Sequence, residues 1–485
     1  MARFRKWLRL RRLIPILALT VLIIGGYTWL ISYRVWRTDL RATRSLEEIS
    51  PPGPGDRVLI VAPHPDDETL GCAGLIQQAL ARGAEVHVAT MTNGDASELA
   101  LIFGERELPW NPKAFIALGR KRQAESMRVL RGLGLPETRA YFLGFPNNGL
   151  TALWRPEHWP YSQLYHSPRT GVTLSPYAHT LTPHAPYCGQ QVLSDLMAVL
   201  QQVRPNVVFV THPQDIHPDH WATCCFLRYA LETIAIRGGD WAERVSVYGY
   251  LVHWPQYPAP RRVAPKLGIV PPAELAGQSR GWVRLPLSRT EEQRKLRAIR
   301  TYHSQEPAID RLMLAFVRRD EVFELLPKTT MRVGAWQMWR DEASHRRGLG
   351  GAEVTELRLE VTPAGIMRAM LVTSSPRLVR EAYIAVDVRG WDRHAAPVIA
   401  TVYVGARDVA HAIRLNATEV PSLAVVTRRL GPGCLEIAQI PLPRDAEPWR
   451  DFFVTCWGSV RDRATDPAVI APVRLLRPGD DAASQ

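Results

Sequence analysis

His64, Asp66, Asp67 and Glu68 crowd into the short run Ala62-Pro63-His64-Pro65-Asp66-Asp67-Glu68. An imidazole and three carboxylates in one turn are costly unless something uses them, and a divalent cation is the simplest user. His64 and Asp67 lie three residues apart and can face inward together, offering one nitrogen and one oxygen. Asp66 then stays off the cation, free to take a proton. A second cluster, Thr211-His212-Pro213-Gln214-Asp215-Ile216-His217-Pro218-Asp219-His220, brings more imidazoles and carboxylates.

Both clusters sit where a strand gives way to a helix. Val58-Leu59-Ile60-Val61 and Val207-Val208-Phe209-Val210 are short, continuous apolar runs, the pattern of buried strands. Thr69 through Ala81 is apolar at helical spacing and stops at Gly83, a natural C-terminal cap; a second helical pattern starts at Trp221. Open α/β sheets place their sites at the carboxyl ends of strands. His-Pro-Asp at one such turn is equally the start of a capped helix. Two such turns, each at a strand end, favour a site.

The two stretches resemble the signatures of the PIG-L (LmbE-like) family of zinc-dependent N-acetylglucosaminyl deacetylases. The first is similar to the family's Ala-His-Pro-Asp-Asp-Glu box and the second to its His-Pro-Asp-His box. Thr90-Met91-Thr92-Asn93-Gly94, the Arg122 and Glu125 pair, and Tyr302-His303-Ser304-Gln305 are weaker echoes. The resemblance covers roughly residues 56 to 310. It implies a single zinc ion held by His64, Asp67 and His220, with Asp66 as general base. Zinc held by three protein ligands keeps a position open for water and brings that water's pKa down to ~7. The same donors also suit other first-row divalent metals.

The remaining polar residues divide less sharply. His217, as an imidazolium partnered by Asp219, can hold an oxyanion and then protonate the leaving amine. Glu68 favours a helix N-terminus by its charge. His212 and Asp215 read as scaffold. Arg122 either grips substrate hydroxyls or pairs with Glu125 on its helix, and Tyr302 and Gln305 are either site wall or structural. Where the family often carries an Asp, this chain has Pro146-Asn147-Asn148-Gly149. Asn147 and Asn148 accept from a sugar hydroxyl without bringing charge. The substrate implied is an N-acetylated sugar in a glycolipid or glycan. The rivals are an amidase acting on another amide-bearing conjugate and a non-catalytic glycan-binding protein.

Alternating strand and helix patterns predict an α/β fold with a Rossmann-like, mostly parallel sheet. No Gly-x-Gly-x-x-Gly follows its first strand, so no dinucleotide is expected. Seven short strands between Glu356 and Trp457 predict a C-terminal β-sandwich. Leu13 through Ser32 is an uncharged run long enough to cross ~30 Å of hydrocarbon, and predicts an N-terminal transmembrane helix. Six basic residues before that run against four after it place the N-terminus in the cytoplasm and the bulk of the chain outside. The expected order is a basic N-terminus at 1–12, an anchor at 13–32 and a linker at 33–55. A deacetylase-like domain at 56–335 with an insertion at 150–189, a sandwich at 352–475 and a loose tail at 476–485 follow.

The insertion holds Trp154, Trp159, Tyr161, Tyr165, Tyr177 and Tyr187, which read evenly as a lid of flat faces for sugar rings or as packed structure. Its His158, His166, His179 and His184 lack ligand spacing. The formal charge of +13 collects beside the apolar run, and no nucleic-acid motif accompanies it, so no nucleic-acid partner is expected. Six cysteines without regular spacing exclude a disulfide scaffold. Cys434 and Cys456 are a candidate pair only if the C-terminal domain is exported. Asn416-Ala417-Thr418 matches a glycosylation acceptor.

Overall fold

The computed structural model describes Gly26 and residues 46–105, 111–277, 281–340, 354–374, 382–392, 394–405, 410–415, 418–420, 426–431, 433–440, 451–460 and 463–476. Its first sheet is built from β1 (Glu47–Glu48), β2 (Arg57–Ala62), β3 (Glu85–Thr92), β4 (Ala140–Phe145), β5 (Val207–Thr211), β6 (Ser246–Tyr250), β7 (Trp282–Pro286) and β8 (Asp320–Leu325). The spatial order is β1-β7-β8-β6-β5-β2-β3-β4. From β6 across to β4 every neighbour is parallel, whereas β8 runs antiparallel to both β6 and β7.

The apolar run in β2 explains its central place. Val58 and Ile60 enter one core with α1 (Asp67–Ala81), α2 (Pro112–Leu133) and the helix Arg289–Ile299. Leu59 and Val61 enter the core on the other face, with α3 (Leu150–Trp154), α4 (Gly189–Val203) and α5 (Pro218–Ile236). A strand buried on both faces reads as a continuous apolar run because neither side meets water. α1 ends where Gly83 takes φ +85, a conformation glycine enters at little cost.

Two further sheets follow. One has five strands and the other seven, and apolar residues of both, such as Leu357, Leu371, Val386 and Val454, share one core. The outer face of the seven-stranded sheet is covered by α3 and α5: Trp391, Phe453 and Trp457 belong to the same core as Trp154 and Phe226.

The expected fold class does not stand as written. The described chain is a mixed α/β protein with several sheets, and among the described residues no helix is long and apolar enough to cross a membrane. The long described helices are built for protein surroundings: α2 carries Lys113, Arg120, Lys121, Arg128 and Arg131, and α5 is buried along most of its length against the two sheets. Apart from Gly26, the run 13–32 lies outside the described residues. The transmembrane anchor and the single-pass localisation with an extracytoplasmic catalytic domain are therefore unsupported. Residues 1–12, 341–351, 477–485 and the Asn416-Ala417 part of the acceptor motif also lie outside the described residues. Cys434 and Cys456 form no disulfide with each other, and they stand on strands of different sheets.

Candidate active site

Strand pairing decides which turns meet. β2 and β5 are parallel neighbours with Val61 opposite Val210, so the turns after them emerge side by side. The His64 and His220 ring centroids are 5.2 Å apart, and His217 lies 4.7 Å from His64 and 5.0 Å from His220. Asp67 Oδ2 is the shared point, 3.0 Å from His64 Nδ1 and 3.2 Å from His220 Nε2. His220 Nε2 makes no hydrogen bond despite that proximity.

The charges around these rings call for a cation. Burial works against a charged His220, yet Asp215 and Asp67 overcome it and push its pKa up to about 10. Burial likewise opposes a charged His64, and Asp219 and Asp67 still hold it above its ordinary value. Asp67 shows the reverse: burial would raise it, but His220 and His64 hold the carboxyl well below the usual range. Protons on the imidazoles thus do what a metal ion bound by the same donors would do. His64, His217 and His220 each offer a ligand atom within 4.8 Å of the others, as do Asp67, His220 and His253. The donor set fits a divalent metal.

Asp66 is set apart from this cluster by its backbone. Its φ of 133° is one few non-glycine residues adopt, a cost of about 1–3 kcal/mol. The side chain makes no cap hydrogen bond to α1 and instead accepts from the Arg122 guanidinium at 3.0 Å. Arg122 also donates to the Gly94 and Pro65 carbonyls, so it is locked in place. Burial pushes the Asp66 carboxyl up to about 7, Arg122 opposing it and Asp67 reinforcing it. Glu125 does not pair with Arg122; its carboxylate accepts from the Ser304 N–H and hydroxyl.

The second turn spends its side chains on structure. Asp215 accepts from the N–H groups of His217, Val252 and His253 and lies 3.1 Å from His220 Nδ1. Burial alone would raise this carboxyl, but His220, His253 and the His217 N–H together hold it below its ordinary value. His217 caps α5, its Nδ1 accepting the Asp219 N–H at 3.2 Å. Burial, with His64, His220 and His253 close by, drives its pKa well down. His217 is therefore neutral, and with Nδ1 accepting, its proton sits on Nε2. The expected His217–Asp219 side-chain pair does not form. The Asp219 carboxylate turns the other way, to His64 Nε2 at 3.2 Å and to the N–H groups of Asn148 and Leu150.

The other expected residues fall in three places. Asn147 is buried, its N–H on Asp95 and its Oδ1 without a partner, whereas the Asn148 side chain is exposed. Tyr302 is fully buried and donates to Glu68 at 2.7 Å, so it buttresses α1. Most insertion aromatics, including Trp154, Trp159, Tyr177 and Tyr187, are core, and Tyr161 is half exposed. Tyr177 donates to Asp95, a carboxyl that burial pushes up to about 6. The residue missed in the sequence is His253, 4.7 Å from the His220 ring and lowered to about 4 by burial and by His220. Its signal was its position just past the end of β6, the strand beside β5.

Residues 59–231 match the family model described as PIG-L, GlcNAc-PI de-N-acetylase. A 1D-myo-inositol 2-acetamido-2-deoxy-alpha-D-glucopyranoside deacetylase from Mycolicibacterium smegmatis is 34% identical over 169 residues, covering 34% of this chain and 50% of that protein. A protein of the same name from Rhodococcus opacus is 32% identical over 169 residues, covering 34% and 49%. The chain spans about half the length of these curated relatives. Among solved structures, an N,N'-diacetylchitobiose deacetylase from Pyrococcus horikoshii aligns at 19% identity with a TM-score of 0.33, covering 60% of this chain and 89% of that one.

Proposed function

We propose, from the match of residues 59–231 to the PIG-L family model, that this protein is a metal-dependent hydrolase that removes the acetyl group from an N-acetylated amino sugar of the GlcNAc-inositol kind. The observation that carries the reading is the division of labour at the first turn: Asp67 shares its Oδ2 with His64 and His220, while Asp66 is held off them by Arg122. His64, Asp67 and His220 would hold the metal. Two imidazoles and a carboxylate suit zinc, and would also hold other first-row divalent ions. When bound, such an ion polarises the acetyl carbonyl and makes hydroxide available near neutral pH.

The chain's own residues do the rest. Asp66, with a pKa near 7, takes the proton of the attacking water. His217 is neutral and carries its proton on Nε2, so it serves as a hydrogen-bond donor to the developing oxyanion. A neutral His217 has no spare proton for the leaving amine. Asp66 therefore returns the one it took. Asp219 keeps His64 oriented from the far side of its ring, as carboxylates behind metal-binding histidines do. Asn147, uncharged and with a free Oδ1, supports recognition of a sugar hydroxyl.

The test is acetate release from an N-acetylglucosaminyl-inositol substrate by the purified protein. Release should cease with a chelator and return with zinc. Absence of acetate from that substrate and from other N-acetylated amino sugars, with metal bound, would overturn the sugar reading and favour another amide.

A further inference from the structure

We propose that Arg389, on the outer face of the C-terminal sandwich, is a positioning residue for the candidate metal site, acting through α3 and Asp219. The inference rests on the metal-site reading above and assigns the sandwich a task within it.

The strand Ala382–Trp391 alternates. Val386 and Val388 point into the sandwich core, while Asp387, Arg389 and Trp391 point toward α3 and α5. An outer sheet face is ordinarily wet and polar. This one is sealed: Asp387 and Arg389 are both 0% exposed. The Arg389 guanidinium donates Nε–H to Asp387 at 2.6 Å and lies 3.5 Å from the centre of the Trp154 ring and 4.4 Å from that of Trp159. Its Nη2 donates to the Trp154 carbonyl oxygen. Asp387 in turn accepts from the Thr401 and Thr455 hydroxyls, and Thr455 Oγ1 accepts the Trp154 Nε1–H at 3.2 Å. The sandwich therefore grips Trp154 by its ring, its ring N–H and its main chain.

Trp154 is the last residue of α3, and the other end of the same short segment touches the site. The Asn148 and Leu150 N–H groups donate to the two oxygens of Asp219 at 2.6 and 3.1 Å, and Thr151 donates to the Pro218 carbonyl at 3.0 Å. Asp219 Oδ2 is 3.2 Å from His64 Nε2. From Arg389 through Trp154, Leu150 and Asp219 to His64 a continuous path of buried residues links the sandwich to the site. A buried ion pair is a poor device for stability alone, because well-packed apolar residues do as well. Its rigid fork is, however, well suited to fixing the place of a carbonyl. Residues behind a metal ligand tune metal affinity by about 10–100-fold.

The test is Co2+ binding to the purified full chain by chelator competition, with folding checked by circular dichroism. Arg389→Gln should raise the Co2+ dissociation constant about tenfold or more. Thr455→Val, which withdraws the acceptor of the Trp154 ring N–H and one hydroxyl donor to Asp387 but leaves Arg389 in place, should raise it by about threefold. Trp391→Phe breaks a different contact of the same interface, the 3.0 Å bond to Thr233, and should leave Co2+ affinity unchanged. If Arg389→Gln does not fold, Thr455→Val decides. Wild-type affinity in the folded variants, or equal weakening in Trp391→Phe, would overturn the role of Arg389 alone. A wild-type chain that binds no Co2+ would overturn the metal-site reading as well.

Discussion

The two turns that meet at the site are built in opposite ways. The first holds Asp66 at a φ of 133° and leaves its carboxylate uncapped, paired only with Arg122 and poised near neutral pH. The second is relaxed: His217 sits at φ −81° as an ordinary helix cap, and Asp215 has its oxygens occupied by three N–H groups and an imidazole. Strain and an unspent group mark where a proton is to move; satisfied bonds mark a cradle. On the proposed reading, proton transfer belongs to the first turn, and the second supplies the rigid cradle together with the His217 donor.

Substitutions should separate those roles. Asp66→Asn should lower kcat by roughly 10²–10⁴ while bound metal, measured by elemental analysis, stays at the wild-type level. An active Asp66→Asn would move the proton transfer elsewhere and break the contrast. Asp215→Ala attacks the cradle. It strands one buried and two partly buried N–H groups and the buried His220 Nδ1, so thermal denaturation should show a loss of about 3–5 kcal/mol, with metal affinity falling alongside. Wild-type stability in that variant would mean the second turn is not the rigid partner.

His217 tests the boundary, since it is a cap with one free N–H. Its removal to Ala should cost roughly 10²–10³ in kcat, as loss of an oxyanion donor does, and leave KM close to wild type. Arg122→Gln yields a smaller and more specific change. The guanidinium favours the ionised form of Asp66 and so lowers its pKa; without it the carboxyl protonates more readily. A base works only when ionised, so the acidic limb of the kcat/KM profile should move to higher pH, by about one unit or more. A limb that stays in place would detach Arg122 from the base.

How much of this was legible depended on whether the signal was local. The β2–α1 unit shows in the sequence because an apolar run, a polar turn and a capping glycine at Gly83 lie within one stretch, and the same holds for β5 and α5. Their convergence follows from both being strand ends. Arg122 was visible as a residue but not as the partner of Asp66, because that pairing depends on how α2 packs across the turn. His253 was hidden by the proline-rich segment it begins. The Asp219 carboxylate was misdirected because its partners, the Asn148 and Leu150 N–H groups, are backbone atoms of a distant segment. Tyr177 and Trp154 carry no mark that distinguishes a lid from a core; burial against Asp95 and Arg389 decides it. The run 13–32 shows the converse hazard, since apolar length alone suggested an anchor that the described helices do not support.

Tyr302 offers the mildest test of the contrast. The sequence left it open between a substrate-binding site wall and a structural support, and it is fully buried behind the first turn. Its hydroxyl lies 2.7 Å from Glu68 Oε1 and 2.9 Å from Thr69 Oγ1, and Glu68 Oε2 in turn accepts the Asp66 N–H at 3.0 Å. The strained backbone of Asp66 is thus braced from below. Tyr302→Phe removes one hydroxyl from that brace, and Ser126 still donates to the same Glu68 oxygen. A loss of about 1 kcal/mol in stability is expected, with KM for the sugar unchanged. A raised KM with unchanged stability would put Tyr302 in the substrate's path, and the first turn would then have to open for the substrate to reach it.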